Sequence, residues 1–357
     1  MSAMLIVGGG PVGASLALAA ENAILLSAPP PPSGGRYYAL NAASADFLTN
    51  AAGMPLPENT PVRQFLLCAG FGRRRYLTAD GDSPLCRIVG EEKLSEWLRR
   101  ALRRKGAEMY DAAPVSLCAD AAAAGAGVRA RLPDGRELSA PLLAVADGAR
   151  SAAARMRNVG AAVSFFGQRA LTARVSVAGL ADDVAAQWFA NRDVLALLPA
   201  GGGIFALVWS LPEERARELA AGGADALAAA ASDRAGFAIA AADDSAPRGF
   251  VLAASRRAAR AARRTAFVGD SARTIHPLAG QGLNAGLADC ALLLRCLRRR
   301  GGDADNALAD YALGGRRGAT LHGITAFLNR FGGLASPLFA VASRPPFCRW
   351  AARAANY

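Results

Sequence analysis

Few folds accommodate the way this chain begins. Met4-Leu5-Ile6-Val7 is a short apolar run of the buried-strand type, Gly8-Gly9-Gly10-Pro11-Val12-Gly13 follows at once, and Ala14-Ser15-Leu16-Ala17-Leu18-Ala19-Ala20 is a helix-forming run. Strand, glycine-rich turn and helix in that order is the dinucleotide-binding pattern. Gly8 permits the tight turn, Gly10 lets backbone approach a pyrophosphate, and Gly13 lets the helix pack on the strand, with the phosphates at the helix N-terminus. A plain tight turn is the bland alternative, and the flanking strand and helix weigh against it.

Two later segments end in the same chemistry. Pro141-Leu142-Leu143-Ala144-Val145-Ala146 reads as a fully buried strand closing on Asp147-Gly148. Thr265-Ala266-Phe267-Val268 reads as another, closing on Gly269-Asp270 and passing through a loop with Gly280, Gly282, Asn284 and Gly286 into a helix. In open α/β sheets ligands collect at the carboxyl edge of the strands. Glycine admits close approach, an acid accepts hydrogen bonds from hydroxyls, and helix-start amides attract negative charge. The late loop is therefore shaped for a flat, polyhydroxylated ligand.

These residues resemble the FAD-dependent aromatic hydroxylases, flavoprotein monooxygenases related to para-hydroxybenzoate hydroxylase, and among them the ubiquinone-biosynthesis hydroxylases. The late motif of that subgroup reads much like Asp270 to Asn284, including Thr274-Ile275-His276-Pro277-Leu278-Ala279-Gly280-Gln281-Gly282-Leu283-Asn284. Gly8 to Ser15, Arg36-Tyr37-Tyr38-Ala39-Leu40-Asn41, Ala146 to Ser151, Phe166 to Leu171, Leu195 to Pro199 and Leu207 to Ser210 match in the subgroup's order, so the similarity runs from Met4 to about Phe331. The resemblance implies an α/β fold: a discontinuous Rossmann-like FAD-binding domain (1–65, 90–160 and 255–310), an inserted antiparallel-sheet substrate domain (66–89 and 161–254) and a C-terminal helical segment (311–357).

Carried over residue by residue, the resemblance gives Gly8, Gly10 and Gly13 to the FAD pyrophosphate and lays Arg36 along the cofactor. Asp270, with Gly269 before it, would bind the ribityl chain; Pro277, Gly280, Gln281, Gly282, Leu283 and Asn284 would line the isoalloxazine. Asp147 and Gly148 resemble a second fingerprint associated with cofactor and reductant. The implied reaction is hydroxylation of a prenylated phenol of ubiquinone biosynthesis through a flavin C4a-hydroperoxide, with NAD(P)H or another reductant and O2. An inactive flavin-binding accessory subunit and an isoprenoid-lipid flavin reductase are the alternatives. The cofactor carries the difficult chemistry, so no triad or paired carboxylate is expected. His276 is the one weak catalytic candidate; its competing role is to shape the loop by hydrogen bonding.

The chain also departs from the family pattern. Ser27 stands where an acid usually binds the adenosine ribose, and the first helix is several residues short. Charged and neutral hydrogen bonds differ by roughly 1 kcal/mol, so FAD is expected to be lost comparatively easily. Arg273 stands where the family has His, Ala154 precedes Arg155 where the fingerprint has its Arg one place earlier, and Gly90-Glu91-Glu92 replaces a stretch that commonly carries an Arg.

With 357 residues, 52% of them hydrophobic and 20% charged, the chain can bury a large core. Only Pro29 to Gly35 and the low-complexity Ala220 to Ala231 read as disordered. No basic segment precedes a long apolar one at the start, so a cytoplasmic protein is expected. The six cysteines show no C-x-x-C pair and the two histidines are too few for a zinc site, which argues against a metal. A net charge of +12 invites a nucleic-acid reading, with basic clusters at 73–75, 99–105, 256–264 and 298–300, but no nucleic-acid-binding motif accompanies it. These runs read as solvated helix faces, and peripheral contact with the inner face of an anionic membrane fits a lipid-tailed quinone precursor better. The apolar tail, 324–341, is broken by Asn329, Arg330, paired Gly and Pro, and reads as helices packed on the FAD domain or on a partner in a homo-oligomer or biosynthetic complex, with direct membrane insertion as the alternative.

Glu91 to Lys105 patterns as an amphipathic helix with Leu94, Trp97, Leu98, Ala101 and Leu102 inward. Ala170 to Val177, Val194 to Leu198 and Ile204 to Trp209 read as strands of the inserted sheet, which would roof the flavin and form the substrate pocket. Trp188, Phe189 and Trp209, like Phe165 and Phe166, read as core before pocket, while Gln168 on an adjoining turn is a pocket candidate.

Overall fold

A computed structural model of the chain describes residues 4–29, 35–69, 73–79, 81–120, 127–190, 193–274 and 281–314. Five parallel strands form its base, in the spatial order Glu108–Tyr110, Ala23–Leu26, Met4–Val7, Leu142–Val145 and Thr265–Phe267. Numbered along the chain this is 3-2-1-4-5, the doubly wound order whose direction reverses at the first strand. The two central strands, MLIV and LLAV, are buried at every residue, as a sheet covered on both faces requires. On one face pack the helices Pro11–Ala19, Ala42–Ala52, Glu91–Arg104 and Gln281–Arg299. On the other lie the three-stranded sheet Ser116–Asp120, Gly127–Arg131 and Glu137–Ala140 and the short helix Ala152–Met156.

Glu91–Arg104 buries the five residues that its pattern places inward, and Lys105 caps it. Glu91 and Glu92 in its first turn and Arg103 and Arg104 in its last match the helix dipole.

A second, nine-stranded and largely antiparallel sheet is built around Ala161–Val177, which pairs with Ile204–Pro212 on one side and with Arg248–Arg257 on the other. Asp193–Gly201, Val184–Ala190, Gln64–Ala69 and Arg73–Thr78 extend it in one direction and Arg273–Thr274 ends it in the other. Period-two alternation turns Leu171, Val175, Leu195, Leu197, Phe205, Leu207 and Trp209 onto the helices Glu213–Ala221 and Gly223–Ala235. Those helices contain the alanine-rich stretch that reads as low complexity. Alanine is the best helix former, and Leu219, Leu227, Ala228 and Ala231 bury one side of each helix against the sheet.

A small sheet of Tyr37–Leu40, Cys86–Gly90 and Thr60–Val62 joins the two, its Ala39, Val62, Cys86 and Ile88 packing with Ala185 of the large sheet. Cys86–Gly90 straddles the boundary drawn at residue 90 and pairs with Tyr37–Leu40. The helix Ala304–Gly314 packs on Gln281–Arg299 through Ala304, Ala307, Leu308 and Tyr311; the remainder of the C-terminal segment lies outside the described residues. The 256–264 arginine run is not a helix face. It ends one strand and forms a hairpin with Arg263 and Arg264 at its turn, where φ is 49° and 61°. Arg257 is buried, donating to Ser271 O and Val159 O at 2.9 and 3.1 Å.

Candidate functional site

Parallel register brings three strand ends to one edge: Val7 lies beside Val145, and Val145 beside Phe267. Gly8, Asp147 and the Gly269–Asp270 pair each follow these residues within three positions. Gly8 has φ +112°, and a Cβ there would fall 2.5 Å from Ala146 O; one at Gly13 would fall 1.9 Å from Gly8 O. Both glycines are thus demanded by the turn itself. Gly10 differs: a Cβ there meets nothing within 4 Å. Gly10 is also the N-cap of Pro11–Ala19, a helix start with no side-chain cap and no acid in its first turn. An uncapped, acid-free helix start with an open approach suits an anionic ligand.

Ser27, half-buried at the end of the Ala23–Leu26 strand, donates to Ala28 O at 3.0 Å. Its side chain lies over Gly9, where a Cβ would sit 2.1 Å from Ser27 Oγ. Asp147 accepts from Ala153 N at 3.0 Å through Oδ2, whereas its buried Oδ1 has no partner among the described residues. Gly148, at φ +83°, is open.

Gly269 has φ +60° and packs against Val12, and Gly286 packs against both, its notional Cβ 2.6 Å from Val12 Cγ2. The N-terminal and late motifs therefore touch. The Asp270 residue is exposed, leaving its carboxylate accessible. Enclosure by the surrounding protein nevertheless pushes the carboxyl above its ordinary value, while Arg36 and Arg273 pull it down. Exposure and enclosure together describe a group in a concave wall, open to a ligand on one side. Sequence reasoning did not find Asp289, whose buried carboxylate accepts from Gly269 N, Arg260 and Arg273; its partners come from distant segments, and no local pattern marks it.

Arg36 pairs with Glu91 at 2.6 Å, and Tyr38 donates to the same oxygen at 3.0 Å. Burial pushes the Tyr38 hydroxyl well above its usual value. The Gly90-Glu91-Glu92 departure thus supplies a counter-charge for Arg36. Asn284 donates to Ala39 O at 2.8 Å and accepts from Asn41 N at 3.2 Å, tying the late helix to the Arg36–Asn41 motif. Leu283 joins the core, and Gly282 is open. His276, Pro277 and Gly280 lie outside the described residues, as does the Gln281 side chain.

Beside Arg36 a cavity of about 410 Å3 opens between the small sheet and the large one, with Glu91, Lys93, Thr172, Arg174 and Arg248 in its wall. Trp188 and Trp209 are 4% exposed and belong to the core on the helix-covered face. Gln168 is not on a turn: it lies fully buried within Ala161–Val177, next to a bulge between Phe165 and Arg169. Phe165 is 73% exposed, so it is not core.

Open glycine at an uncapped helix start, an Asp147 oxygen without a partner among the described residues and an accessible Asp270 carboxylate on one sheet edge fit a dinucleotide with a polyhydroxylated chain. These features define a nucleotide-cofactor-binding α/β protein. The family model described as "FAD binding domain" matches residues 41–318, and the chain belongs to that family. It is 33% identical over 169 residues to the ubiquinone hydroxylase UbiL of Rhodospirillum rubrum, covering 47% of this chain and 39% of the relative. It is 29% identical over 221 residues to the mitochondrial ubiquinone biosynthesis monooxygenase COQ6 of Drosophila melanogaster, covering 52% of this chain and 45% of that protein. The matches thus span less than half the length of these relatives. Among solved structures, Klebsiella pneumoniae HpxO complexed with FAD and uric acid superposes with a TM-score of 0.72 at 18% identity, covering 99% of this chain and 92% of that one, a likeness of fold. No helix among the described residues is long and apolar enough to cross a membrane.

Proposed function

We propose that this protein is an FAD-dependent monooxygenase that hydroxylates the ring of a phenol, and that the phenol is a prenylated precursor in ubiquinone biosynthesis. The observation that carries the cofactor half is the shared edge of Gly10, Asp147 and Asp270; the similarity to two ubiquinone hydroxylases supports the substrate half. Bound FAD would supply reduction by NAD(P)H and activation of O2. The balance is ArH + O2 + NAD(P)H + H+ giving ArOH + NAD(P)+ + H2O. Gly10 and the helix start would hold the pyrophosphate, and Asp270 would accept from ribityl hydroxyls. The face of the large sheet turned away from its helices, with Ala170, Ala206 and Ser210, would border the ring and exclude water.

One observation favours a second reading. The cavity wall is charged, with Arg174 paired to Asp243 at 3.2 Å and Lys93 to Glu58 at 2.7 Å, which suits a polar aromatic substrate better than an isoprenoid tail. Purified protein supplied with FAD, NAD(P)H and labelled O2 tests both. Label in a prenylated phenol supports the first reading and label only in a small polar phenol the second. Flavin binding without substrate-dependent NAD(P)H oxidation returns the chain to the accessory-subunit class, and a saturated prenyl double bond without label makes it an isoprenoid-lipid reductase.

A further inference from the structure

Asp289, on the Gln281–Arg299 helix, is 3% exposed. Its Oδ1 accepts from Arg260 Nη2 at 2.5 Å and Arg273 Nη2 at 3.1 Å; its Oδ2 accepts from Arg273 Nη1 at 3.2 Å and from the Gly269 amide at 3.1 Å. Tyr311 backs this cluster. Its ring lies 4.4 Å from the Arg260 guanidinium, its hydroxyl accepts from Arg260 Nη2 at 2.9 Å, and it donates to Phe267 O at 2.7 Å. Two guanidiniums against one carboxylate leave a positive charge behind the Gly269–Ser271 turn. Both arginine side chains are only 15% exposed, so water screens that charge weakly. Asp270 is the next acid along.

We propose that Arg273 is a positioning residue of the cofactor site. Gripping Asp289 in a two-pronged pair, it fixes the carboxylate that anchors the Gly269 amide, and as a permanent cation near the turn it favours, after Arg36, the ionised form of Asp270 against the upward push of enclosure. The departure from His at this position is then a gain of fixed charge. The charged groups around Asp270 are Arg36, itself faced by Tyr38 and Glu91, then Arg273, and Asp289 in opposition; Arg260 and Tyr311 lie behind Asp289. This inference rests on FAD binding at the edge and not on any reaction catalysed there.

The test is FAD titration of the stripped full-length protein, followed by the visible flavin spectrum, from about pH 6 to about pH 9. Arg273→Met is expected to weaken FAD roughly tenfold and to shift the bound-flavin spectrum, with Arg273→Lys recovering most of both. Arg273→His is expected to bind nearly as the parent at about pH 6 and to fall to the Met level near pH 9, as the imidazole loses its proton. Equal affinities and spectra in parent and Met variant overturn the proposal, as does a His variant whose pH profile parallels the parent's. Should the Met variant not fold, the His and Lys profiles decide the matter alone.

Discussion

A Cβ added at Gly10 meets nothing within 4 Å, whereas one added three residues later at Gly13 lands 1.9 Å from a backbone oxygen. The first turns of the Gln281–Arg299 helix divide the same way, with Gly282 open and Gly286 pressed on Val12. Two glycines in one motif thus sit in different surroundings: one leaves a surface bare, as the proposed cofactor site would need, and the other lets the chain close on itself. The motif names both, and only the coordinates of their neighbours tell them apart.

The sharpest way to break this distinction is Gly13→Ala. Its methyl cannot be accommodated without moving Gly8 or the helix, and we expect a loss of more than about 3 kcal/mol in urea unfolding of the apoprotein. A variant as stable as the parent would place Gly13 with the open glycines. Next comes Gly10→Val, at φ −66° and ψ 176°, which any residue adopts. Apoprotein stability should stay within about 0.5 kcal/mol while FAD affinity falls roughly a hundredfold, because the side chain fills the phosphates' space. A matched fall in stability would show that Gly10 too serves the fold.

The smallest expected effect is at Asp270. Its folded-state pKa is raised above the ordinary 3.8, chiefly by enclosure. The apoprotein is therefore favoured below the unfolded value, loses that advantage as pH rises through the folded one, and carries an ionised, poorly solvated group above it. Asp270→Asn should accordingly raise apoprotein stability at neutral pH and weaken FAD about tenfold, a charge-assisted bond having become neutral. Lower apoprotein stability at neutral pH would show that Asp270 belongs to the fold rather than to the ligand.

What could be read beforehand was local. Buried runs such as MLIV and LLAV, the glycine spacing and the inward face of Glu91–Arg104 depend on neighbours a few residues apart. Arg257, Arg260, Arg273 and Asp289 lie in separate elements or loops, and nothing in a single window distinguishes an arginine facing water from one gripping a buried carboxylate. The membrane-facing reading of the 256–264 run weakens for the same reason, since two of its arginines point inward and Arg264 pairs with Asp305 at 2.6 Å. Composition also misjudged Ala220–Ala231, where small side chains pack a helix rather than dissolve it.

The Met4–Val7 strand cannot complete its edge alone: its neighbour Leu142–Val145 lies over a hundred residues on, and Thr265–Phe267 as far again. Contacts closing such long loops form slowly. A ribosome therefore has to finish nearly the whole described chain, through Asp289, before the turn that would grip a flavin can be anchored. Flavin content in a preparation would then count chains that extend through the late helix, because a product truncated before it keeps the glycine motif and lacks the other wall.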